Sequence, residues 1–384
     1  MSKDIVHTIA EISDNQCYGC RACCQICPQK CIIMQPDNEG FLFPIIKFND
    51  CIQCGLCYRV CPVNHSIAYS PRKVFAVKSK NKKTQYLSSS GGAFMELSSW
   101  AIENGHIVYG AVYEKNTFRV YHKSADNFTD ILRFRGSKYV QSDTCNTFTE
   151  VKENLCSGKK VLFSGLPCQI QGLKNYLQKD YLNLVCIDIL CHGVPSPLLF
   201  RDYITCISRK YGIIKSINMK DKTNGWGKQN LKFEFENSNK QMAPQIAALW
   251  NTIFYSNIAL RESCYSCKFA CFERCGDISL GDYWGIEKYQ PQFFDRNGVS
   301  LMLVNTLKGD EFVSSVAEKF QLEETKAGEC FQPALKMHTS KPPWREYFWR
   351  YYQYYGFEDA AYTFWKVALS NPLLLKIKRL LKRR

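Results

Sequence analysis

The chain has 384 residues, 46% hydrophobic and 14% aromatic, and this composition excludes a disordered chain and allows two or three domains. Its formal charge is +15, and its 21 cysteines are the most unusual feature of the composition. Residues 1–16 lack the basic-then-apolar pattern of a secretory signal, and no run of about 18 apolar residues predicts a membrane span. We therefore expect a cytoplasmic protein whose cysteines are reduced and bind metal.

Ten of the 21 cysteines lie between Cys17 and Cys61, in two copies of the pattern C-x2-C-x2-C-x3-C-P. In this bacterial ferredoxin pattern, three closely spaced thiolates converge on one cluster and the fourth cysteine ligates the other. The spacing predicts two 4Fe-4S clusters, the first held by Cys17, Cys20, Cys23 and Cys61, and the second by Cys27, Cys51, Cys54 and Cys57. Zinc is the alternative, because C-x2-C pairs also occur in zinc ribbons, but two complete runs favour clusters.

Residues 1–70 are accordingly predicted to be a 2×4Fe-4S ferredoxin-type domain, which we call the head. A short apolar hairpin is expected over residues 38–48, packing over the clusters. Cys24 and Cys31 do not fit the ligand pattern, and we interpret them as small buried residues beside a cluster.

From residue 73 onward, strand-like and helix-like stretches alternate, which predicts an α/β body after the head and an α+β or α/β fold overall. We place the body over residues 73–335, with an N-terminal part at 73–155 and a C-terminal part at 156–335. We expect strands at 74–78, 106–113, 160–164 and 182–190, and helices at 92–104, 147–156, 167–178 and 197–211. Ligands in such folds bind at the loops that follow strands.

Two of these loops carry reactive residue types. The Ser-Ser-Ser-Gly-Gly run at 88–92 opens a predicted helix, where backbone amides and the helix dipole favour a phosphate, although a plain helix-capping turn has the same composition. Cys168 stands at a predicted helix start, a position that lowers the pKa of a thiol and suits a metal ligand or a nucleophile.

Cysteines also follow the next buried strand, at Cys191, and cluster late in the body. The late stretch contains Cys264, Cys267, Cys271 and Cys275, whose spacing would allow a metal to be held locally.

Several short motifs occur together in the body. They are SSGGAF at 89–94, KYVQS at 138–142, FSGLPCQI at 163–170, CHGVPSP at 191–197, and RESCYSCKF at 261–269 with GDISLGDYWG at 276–285. With these motifs the chain resembles the coenzyme F-420 hydrogenase/dehydrogenase beta subunit family, joined to an N-terminal 2×4Fe-4S ferredoxin domain. It is most similar to the bacterial branch encoded beside polysaccharide genes. The resemblance implies an oxidoreductase with FAD in the body, an iron–sulfur cluster close to the FAD, and electron transfer between them.

The resemblance also implies site residues, carried over by position. The implied flavin-pocket residues are Ser89, Ser90, Gly91, Gly92, Lys138, Gln141 and Ser142. For a third 4Fe-4S cluster it points to a distributed set, Cys168, Cys191, Cys264 and Cys267, and the local set, Cys264, Cys267, Cys271 and Cys275, is the alternative. The other body cysteines, Cys145, Cys156, Cys186, Cys206 and Cys330, are expected to be core residues.

Two further residues are candidates for proton delivery. They are His192, beside Cys191, and Asp282, in the last motif. The alternatives are a loop hydrogen bond for the histidine and a turn cap for the aspartate.

The tail, residues 342–384, is aromatic and then basic. Twelve aromatic residues fall between Pro342 and Trp365, and seven basic residues with no acidic one lie between Lys366 and Arg384. Leu and Ile recur there at helical spacing, which predicts a basic amphipathic C-terminal helix that contacts a membrane surface after an aromatic belt. A solvated tail and nucleic-acid binding are the alternatives, and since no nucleic-acid module is visible we predict no nucleic-acid partner.

Together these features predict a cytoplasmic iron–sulfur flavoprotein oxidoreductase, peripheral at the inner face of the cytoplasmic membrane. It is expected to pass electrons between ferredoxin or another redox donor, its clusters and FAD, and to reduce a substrate of cell-surface polysaccharide metabolism. FAD suits this task because a flavin exchanges one or two electrons. The alternatives are a non-catalytic electron-transfer subunit serving a membrane-associated partner, and a true coenzyme F-420 oxidoreductase subunit, although no deazaflavin pocket is evident.

Overall fold

The structure is a computed structural model that describes residues 7–228, 230–236 and 242–382. The α-helices are α1 (Ala22–Ile26), α2 (Leu56–Arg59), α3 (Lys82–Leu87), α4 (Ala93–Glu103), α5 (Phe128–Ile131), α6 (Thr147–Cys156), α7 (Pro167–Leu177), α8 (Pro197–Tyr211), α9 (Pro244–Tyr255), α10 (Ile286–Tyr289), α11 (Leu307–Val316), α12 (Arg345–Tyr355), α13 (Phe357–Trp365) and α14 (Pro372–Lys382). The strands are β1 (Ile32–Pro36), β2 (Leu42–Ile46), β3 (Lys73–Ser79), β4 (His106–Tyr113), β5 (Val120–Ala125), β6 (Lys160–Gly165), β7 (Leu184–Ile189), β8 (Ile214–Asp221), β9 (Asn230–Phe235), β10 (Ile278–Asp282), β11 (Ser300–Val304) and β12 (Phe320–Glu324). The predicted mixed α/β fold is confirmed.

The body is built on one eight-stranded sheet in the order β12-β3-β11-β10-β7-β6-β4-β5. Four adjacent strands in the sheet run parallel to one another: β10, β7, β6 and β4. All other neighbouring pairs of this sheet are antiparallel. Parallel strands end at the same edge, so Cys168 after β6, Cys191 after β7 and Asp282 at the end of β10 share one edge of the sheet. β8 and β9 form a separate two-stranded sheet.

Helices cover both faces of this sheet. The core on one face includes residues of α4 and α11, such as Leu97 and Phe312, and the core on the other includes residues of α6 and α7, such as Phe148 and Leu173. The head packs on the second face, because its residue Cys20 is part of the α6 and α7 core. The head and the body are thus joined through a shared apolar core.

The head contains the two short helices and a hairpin. α1 ends just before Cys27, and α2 ends two residues before Cys61, so each helix carries the fourth cysteine of its run away from the first three. The hairpin pairs β1 with β2 and runs from Ile32 to Ile46. The prediction over residues 38–48 was wrong about the first strand, because residues 37–41 form the turn, where the Phe41 N–H donates to Asp37 Oδ1 at 2.8 Å.

Part of the aromatic stretch of the tail packs into the body. In α12 and α13, Phe348, Trp349 and Phe357 are buried in a core with Tyr203 of α8 and Trp250 of α9. The expectation of a surface belt was therefore wrong for these rings, which stabilise the body, whereas Trp344, Tyr347 and Tyr354 are exposed. In the described part of the chain, no helix is long and apolar enough to cross a bilayer.

The surplus cysteines divide by environment. Cys31, Cys186 and Cys330 are buried, as expected of core residues. Cys156 is exposed at the end of α6, and Cys145 adopts a left-handed backbone conformation (φ 50°) in a loop, so the interpretation of these two as core residues was wrong.

A close contact between head and body generates a stability prediction. A Cβ added at Gly172 of α7 would lie 2.9 Å from Sγ of Cys20, so Gly172→Ala forces the two segments apart. We expect a loss of about 1–3 kcal/mol in the free energy of unfolding, measured by thermal or denaturant unfolding. The control is Gly328→Ala, where an added Cβ meets nothing within 4 Å. Equal stability of the two variants would contradict the contact.

Candidate metal centres and cofactor site

The first cysteine loop of the head curls by using left-handed backbone conformations on both sides of its middle cysteine. Gly19 has φ 67° and Arg21 φ 63°, and the second loop repeats the pattern at Gln53 (φ 53°) and Gly55 (φ 71°). The two loops therefore share one backbone curl, in agreement with the two equivalent metal-binding loops that the spacing predicts.

The first predicted set, which we call the inner set, comes together across the two halves of the head. Burial raises the pKa of Cys23, and the thiols of Cys20, Cys17 and Cys61 raise it further. Cys61 of the second half also shares one buried core cluster with Cys23 of the first half. A bound metal is what would hold these buried thiols as thiolates.

The second predicted set, which we call the outer set, lines a cavity of about 360 Å³. All four of its members are there: Cys27, Cys51, Cys54 and Cys57. Cys54 is exposed, so this set is nearer to solvent than the inner set. Cys31 lies beside it, with its sulfur 3.4 Å from Sγ of Cys27, whereas the thiol of Cys24 donates to the Ile32 carbonyl.

The distributed body set lines a second cavity, of about 480 Å³. Its members Cys168 and Cys191 come from adjacent parallel strands, and Cys264 and Cys267 come from the segment around the 3-10 helix Glu262–Ser266. Burial raises the pKa of Cys191, and the thiols of Cys264 and Cys267 raise it further. Four chain-distant cysteines therefore face one space, which we call the body cavity.

The four cysteines of the local alternative do not all face one cavity. Cys271 points its thiol at the Lys268 and Glu273 carbonyls, and the buried Cys275 donates to the Pro167 carbonyl at 3.1 Å. The lining of the body cavity includes neither. Among the residues described, no three His, Cys, Asp or Glu side chains converge tightly enough to hold a single metal ion.

The inner set and the body cavity are neighbours. Burial raises the pKa of Cys168, and the thiols of Cys267, Cys191 and Cys20 raise it further, so the lowered pKa expected at a helix start was wrong. Cys20 Sγ also packs against α7, which begins at Pro167. Lys268 bridges the same gap: its Nζ donates to the Val63 carbonyl at 2.9 Å, and both Cys61 and Cys267 act on its pKa, which burial lowers. The three cysteine sets thus lie in the order outer, inner, body.

The implied flavin residues divide between two places that are joined by one segment. Ser89 Oγ accepts hydrogen bonds from the Ser137 N–H at 2.7 Å and the Ser137 hydroxyl at 3.0 Å, which brings the Ser-Gly loop to the residue before Lys138. Further along, Gln141 Nε2 donates to the Tyr18 carbonyl at 3.0 Å. Lys138 and Gln141 are three residues apart, so at most about 11 Å of main chain separates their Cα atoms.

The Ser-Gly loop itself is already well bonded by the protein. Ser90 donates to the Val299 carbonyl, and the Gly91 N–H donates to Ser300 Oγ at 2.9 Å. Gly92 caps α4 with φ 92°, a conformation that favours glycine. The amide of Gly91 is therefore engaged by β11, and a phosphate at this loop would bind through other groups.

The other implied residues have protein partners as well. The ammonium of Lys138 donates to the carbonyls of Phe134, Arg135 and Gly136, and burial lowers the pKa of Lys138 to about 7. Ser142 accepts from Gln169 Nε2 at 3.1 Å, next to Cys168. Gln141 thus bonds to Tyr18, which lines the body cavity, whereas Lys138 follows Ser137, the residue that bonds to Ser89.

The two candidate proton donors lie in different surroundings. His192 lines the body cavity, and its Nε2 lies 2.6 Å from Asn257 Oδ1. Asp282 does not cap a turn: it pairs with Lys220 and accepts from Trp226 Nε1 at 3.0 Å. Both stand at the carboxyl edge of the sheet.

Two family matches cover most of these elements. Residues 16–65 match the 4Fe-4S dicluster domain, and residues 158–329 match the C-terminal region of the coenzyme F420 hydrogenase/dehydrogenase beta subunit. Residues 158–329 belong to that beta-subunit family. The beta-subunit match contains all four cysteines of the body cavity, and the dicluster match contains both sets of the head. The chain is therefore an iron–sulfur electron-transfer protein with a redox role.

The comparison with solved structures gives a partial likeness. The F420-reducing NiFe hydrogenase complex from Methanosarcina barkeri is similar at a TM-score of 0.45 and 18% identity, over 66% of this chain and 82% of that chain. No curated protein matches the chain.

Several residues around the body cavity were not singled out from the sequence. Tyr18 of the head lines it together with Arg261 and Phe269 of the beta-subunit domain, and the Tyr18 and Phe269 rings are 5.3 Å apart. Tyr18 is one of the two residues between Cys17 and Cys20, and Arg261 precedes Cys264 by three, so their nearness to ligand cysteines was the available signal.

Serine substitutions separate the distributed set from the local one. We expect Cys191→Ser to lower the iron content of anaerobically reconstituted protein by about four irons per chain, from about twelve to about eight, because it removes one ligand of the body cluster. Cys271→Ser is the matched control and should retain the parent iron content. Loss of iron in the control, with full retention in Cys191→Ser, would favour the local set.

Proposed function

We propose that the chain is an iron–sulfur flavoprotein oxidoreductase that passes electrons between a ferredoxin-type donor, its 4Fe-4S clusters and FAD, and reduces a substrate. The observation that carries this proposal is the adjacency of the inner set to the body cavity at Cys20 and Cys168. Adjacent clusters can exchange electrons, so a head and a body that share this contact can work as one electron path.

The exposure of the cysteines indicates which set an electron-donor protein can approach. Cys54 of the outer set is exposed, whereas Cys20 and Cys23 of the inner set are buried. A protein donor can come close to the outer set without any rearrangement of the head. We therefore assign donor contact to the outer set and onward transfer to the inner set and the body cavity.

The segment from Lys138 to Ser142 supports a flavin site next to the body cavity. One end lies at the Ser-Gly loop through Ser137 and Ser89, and the other bonds to Tyr18 and Gln169 at the cavity. FAD, when bound, would convert one-electron traffic from the clusters into two-electron chemistry on a substrate. The polar groups of this segment and of the Ser-Gly loop would hold and orient it.

His192 and Asp282 are the proposed proton-delivering residues. The ring of His192 contacts the rings of Phe254 and Tyr255. Burial raises the pKa of Tyr255, and Tyr139 and Asp282 raise it further. Tyr255 is therefore near both candidates. A substrate of cell-surface polysaccharide metabolism is proposed from the family resemblance of the sequence.

The flavin site can be tested at Ser89, whose hydroxyl accepts both bonds from Ser137. We expect Ser89→Ala to weaken FAD binding about tenfold, since about 1–1.5 kcal/mol is lost with this link between the two segments. FAD released from the purified protein is measured by fluorescence, with Ser314→Ala on the exposed side of α11 as the control. Flavin-free parent protein after reconstitution would overturn the mechanism.

Reoxidation of the reduced protein then separates an enzyme from an electron carrier. Candidate sugar substrates should reoxidise the flavin of the parent protein. No substrate-dependent reoxidation, together with fast exchange with a protein partner, would favour the non-catalytic subunit.

A specific feature of the tail favours peripheral membrane contact. α14 is attached to the body by the buried Leu375 and by an ion pair between Arg379 Nη2 and Asp359 Oδ1 at 2.7 Å. Its apolar face points outward instead: the exposed residues are Leu373, Ile377, Leu380 and Leu381. Lys376 and Lys378 flank this face, so the helix has the apolar stripe and positive charge of an interfacial helix on an anionic membrane. We propose a cytoplasmic protein peripheral at the inner membrane face.

Vesicle binding tests this contact. The full chain should sediment with vesicles that contain phosphatidylglycerol but not with pure phosphatidylcholine, and Ile377→Glu should abolish sedimentation. Leu307→Glu, an exposed position on α11, is the matched control and should bind like the parent. Sedimentation of Ile377→Glu at the parent level would show that α14 does not make the contact.

A further inference from the structure

Three arginines are almost completely buried, and two of them have carboxylate partners. Arg274 pairs with Asp188 at 2.5 Å, and Arg345 pairs with Glu39. Arg261 is 1% exposed, and in the part of the chain that the structure describes it has no carboxylate within 4 Å. A buried cation without an anion is costly, so its surroundings need explanation.

The hydrogen bonds of Arg261 all go to neutral groups. Nε donates to the Cys17 carbonyl at 2.6 Å, Nη1 to Gln141 Oε1 at 3.1 Å, and Nη2 to the Leu42 carbonyl at 3.0 Å. Phe43 stacks on the guanidinium at 4.2 Å. These contacts satisfy the donors and fix the side chain, but none supplies a full negative charge.

Arg261 also lies between two of the predicted cysteine sets. A Cβ added at Gly19, between Cys17 and Cys20, would lie 2.9 Å from Arg261 Nη1, so the guanidinium lies directly against the inner-set loop. The Cys264 N–H donates to the Arg261 carbonyl at 2.9 Å, and Arg261 lines the body cavity. Arg261 is thus the one of the three buried arginines that touches the inner-set loop while lining the body cavity.

We propose that Arg261 is a counter-cation shared by the inner head cluster and the body cluster, and that it raises the reduction potentials of both. A 4Fe-4S cluster with four thiolates carries a net charge of about −2 in its oxidised 2+ state, and reduction makes it more negative. A fixed positive charge in a low-dielectric interior therefore stabilises the reduced form more than the oxidised form. Arg261 would act through its charge and would not itself react. For the body cluster, this inference rests on the proposed function.

The outer set provides an internal reference. The cavity that this set lines does not include Arg261. Arg261 lies instead against the loop between Cys17 and Cys20 and lines the body cavity. Removal of the Arg261 charge should therefore change the reduction potentials of the inner and body centres, but not that of the outer centre.

The test is a redox titration of the full, anaerobically reconstituted chain, followed by electron paramagnetic resonance. Cys54→Ser and Cys264→Ser backgrounds assign the signals of the outer and body centres. Arg261→Gln should shift the midpoint potentials of the inner and body centres downward and leave that of the outer centre unchanged. Arg261→Lys, which keeps the charge, should keep both potentials near those of the parent.

A double variant controls for loosening of the interface between head and body. Glu39→Gln combined with Arg345→Gln removes a buried ion pair at the same interface without changing the net charge, and should not reproduce the selective shift. Unchanged potentials in Arg261→Gln, or an equal shift of all three centres, would overturn the proposal. Arg261→Gln could fail to assemble its clusters. In that case the proposal is overturned if the potentials of the inner and body centres are lowered in Arg261→Lys, which keeps the charge. An iron content of about eight per chain would show that the proposed body cluster is absent. The shift in the midpoint potential of the inner centre would still be measured.

Discussion

The contact between Cys20 and Gly172 is the constraint on which the arrangement of metal sites depends. Only the absence of a side chain at Gly172 lets the inner-set loop rest on α7, and α7 begins at the residue before Cys168. The same helix therefore carries one ligand candidate of the body cavity and the contact surface for the head. A shift of the head along this helix would change the distance between two candidate clusters directly.

Polar contacts then fix the head in rotation as well as in distance. The Thr144 hydroxyl donates to the Cys20 carbonyl at 3.0 Å, Gln25 Oε1 accepts the Phe148 N–H at the start of α6, and Arg21 pairs with Asp143. All three bonds join the head to one short segment of the body, residues 143–148, at the start of α6. Buried hydrogen bonds of this kind contribute little net stability one by one, but each leaves an unpaired group if the interface slides. They favour one docked geometry over others.

Local patterns and distant contacts were not equally readable from the sequence. The dicluster head was readable from its spacing, because each loop of seven residues brings its own three cysteines together, and residues 16–65 match a 4Fe-4S dicluster domain. The ligand role of each single cysteine stays a prediction. The body cavity left two alternatives open, since Cys168 and Cys191 meet Cys264 only through the order of strands β6, β7 and β10, which no local pattern encodes. The aromatic run of the tail was misread for a related reason: rings such as Phe348 look the same in sequence whether a membrane or the body covers them.

The position of β3 has a consequence for the order in which the chain can fold. β3 lies between β11 and β12, so the first strand of the body finds its partners only when residues 300–324 are present. The head needs no such distant partners for its own hairpin and helices, because β1 pairs with β2. During synthesis the head can therefore fold first, while the body waits for long-range strand pairing, which is intrinsically slow. Metal insertion into the head would accordingly precede the formation of the body cavity.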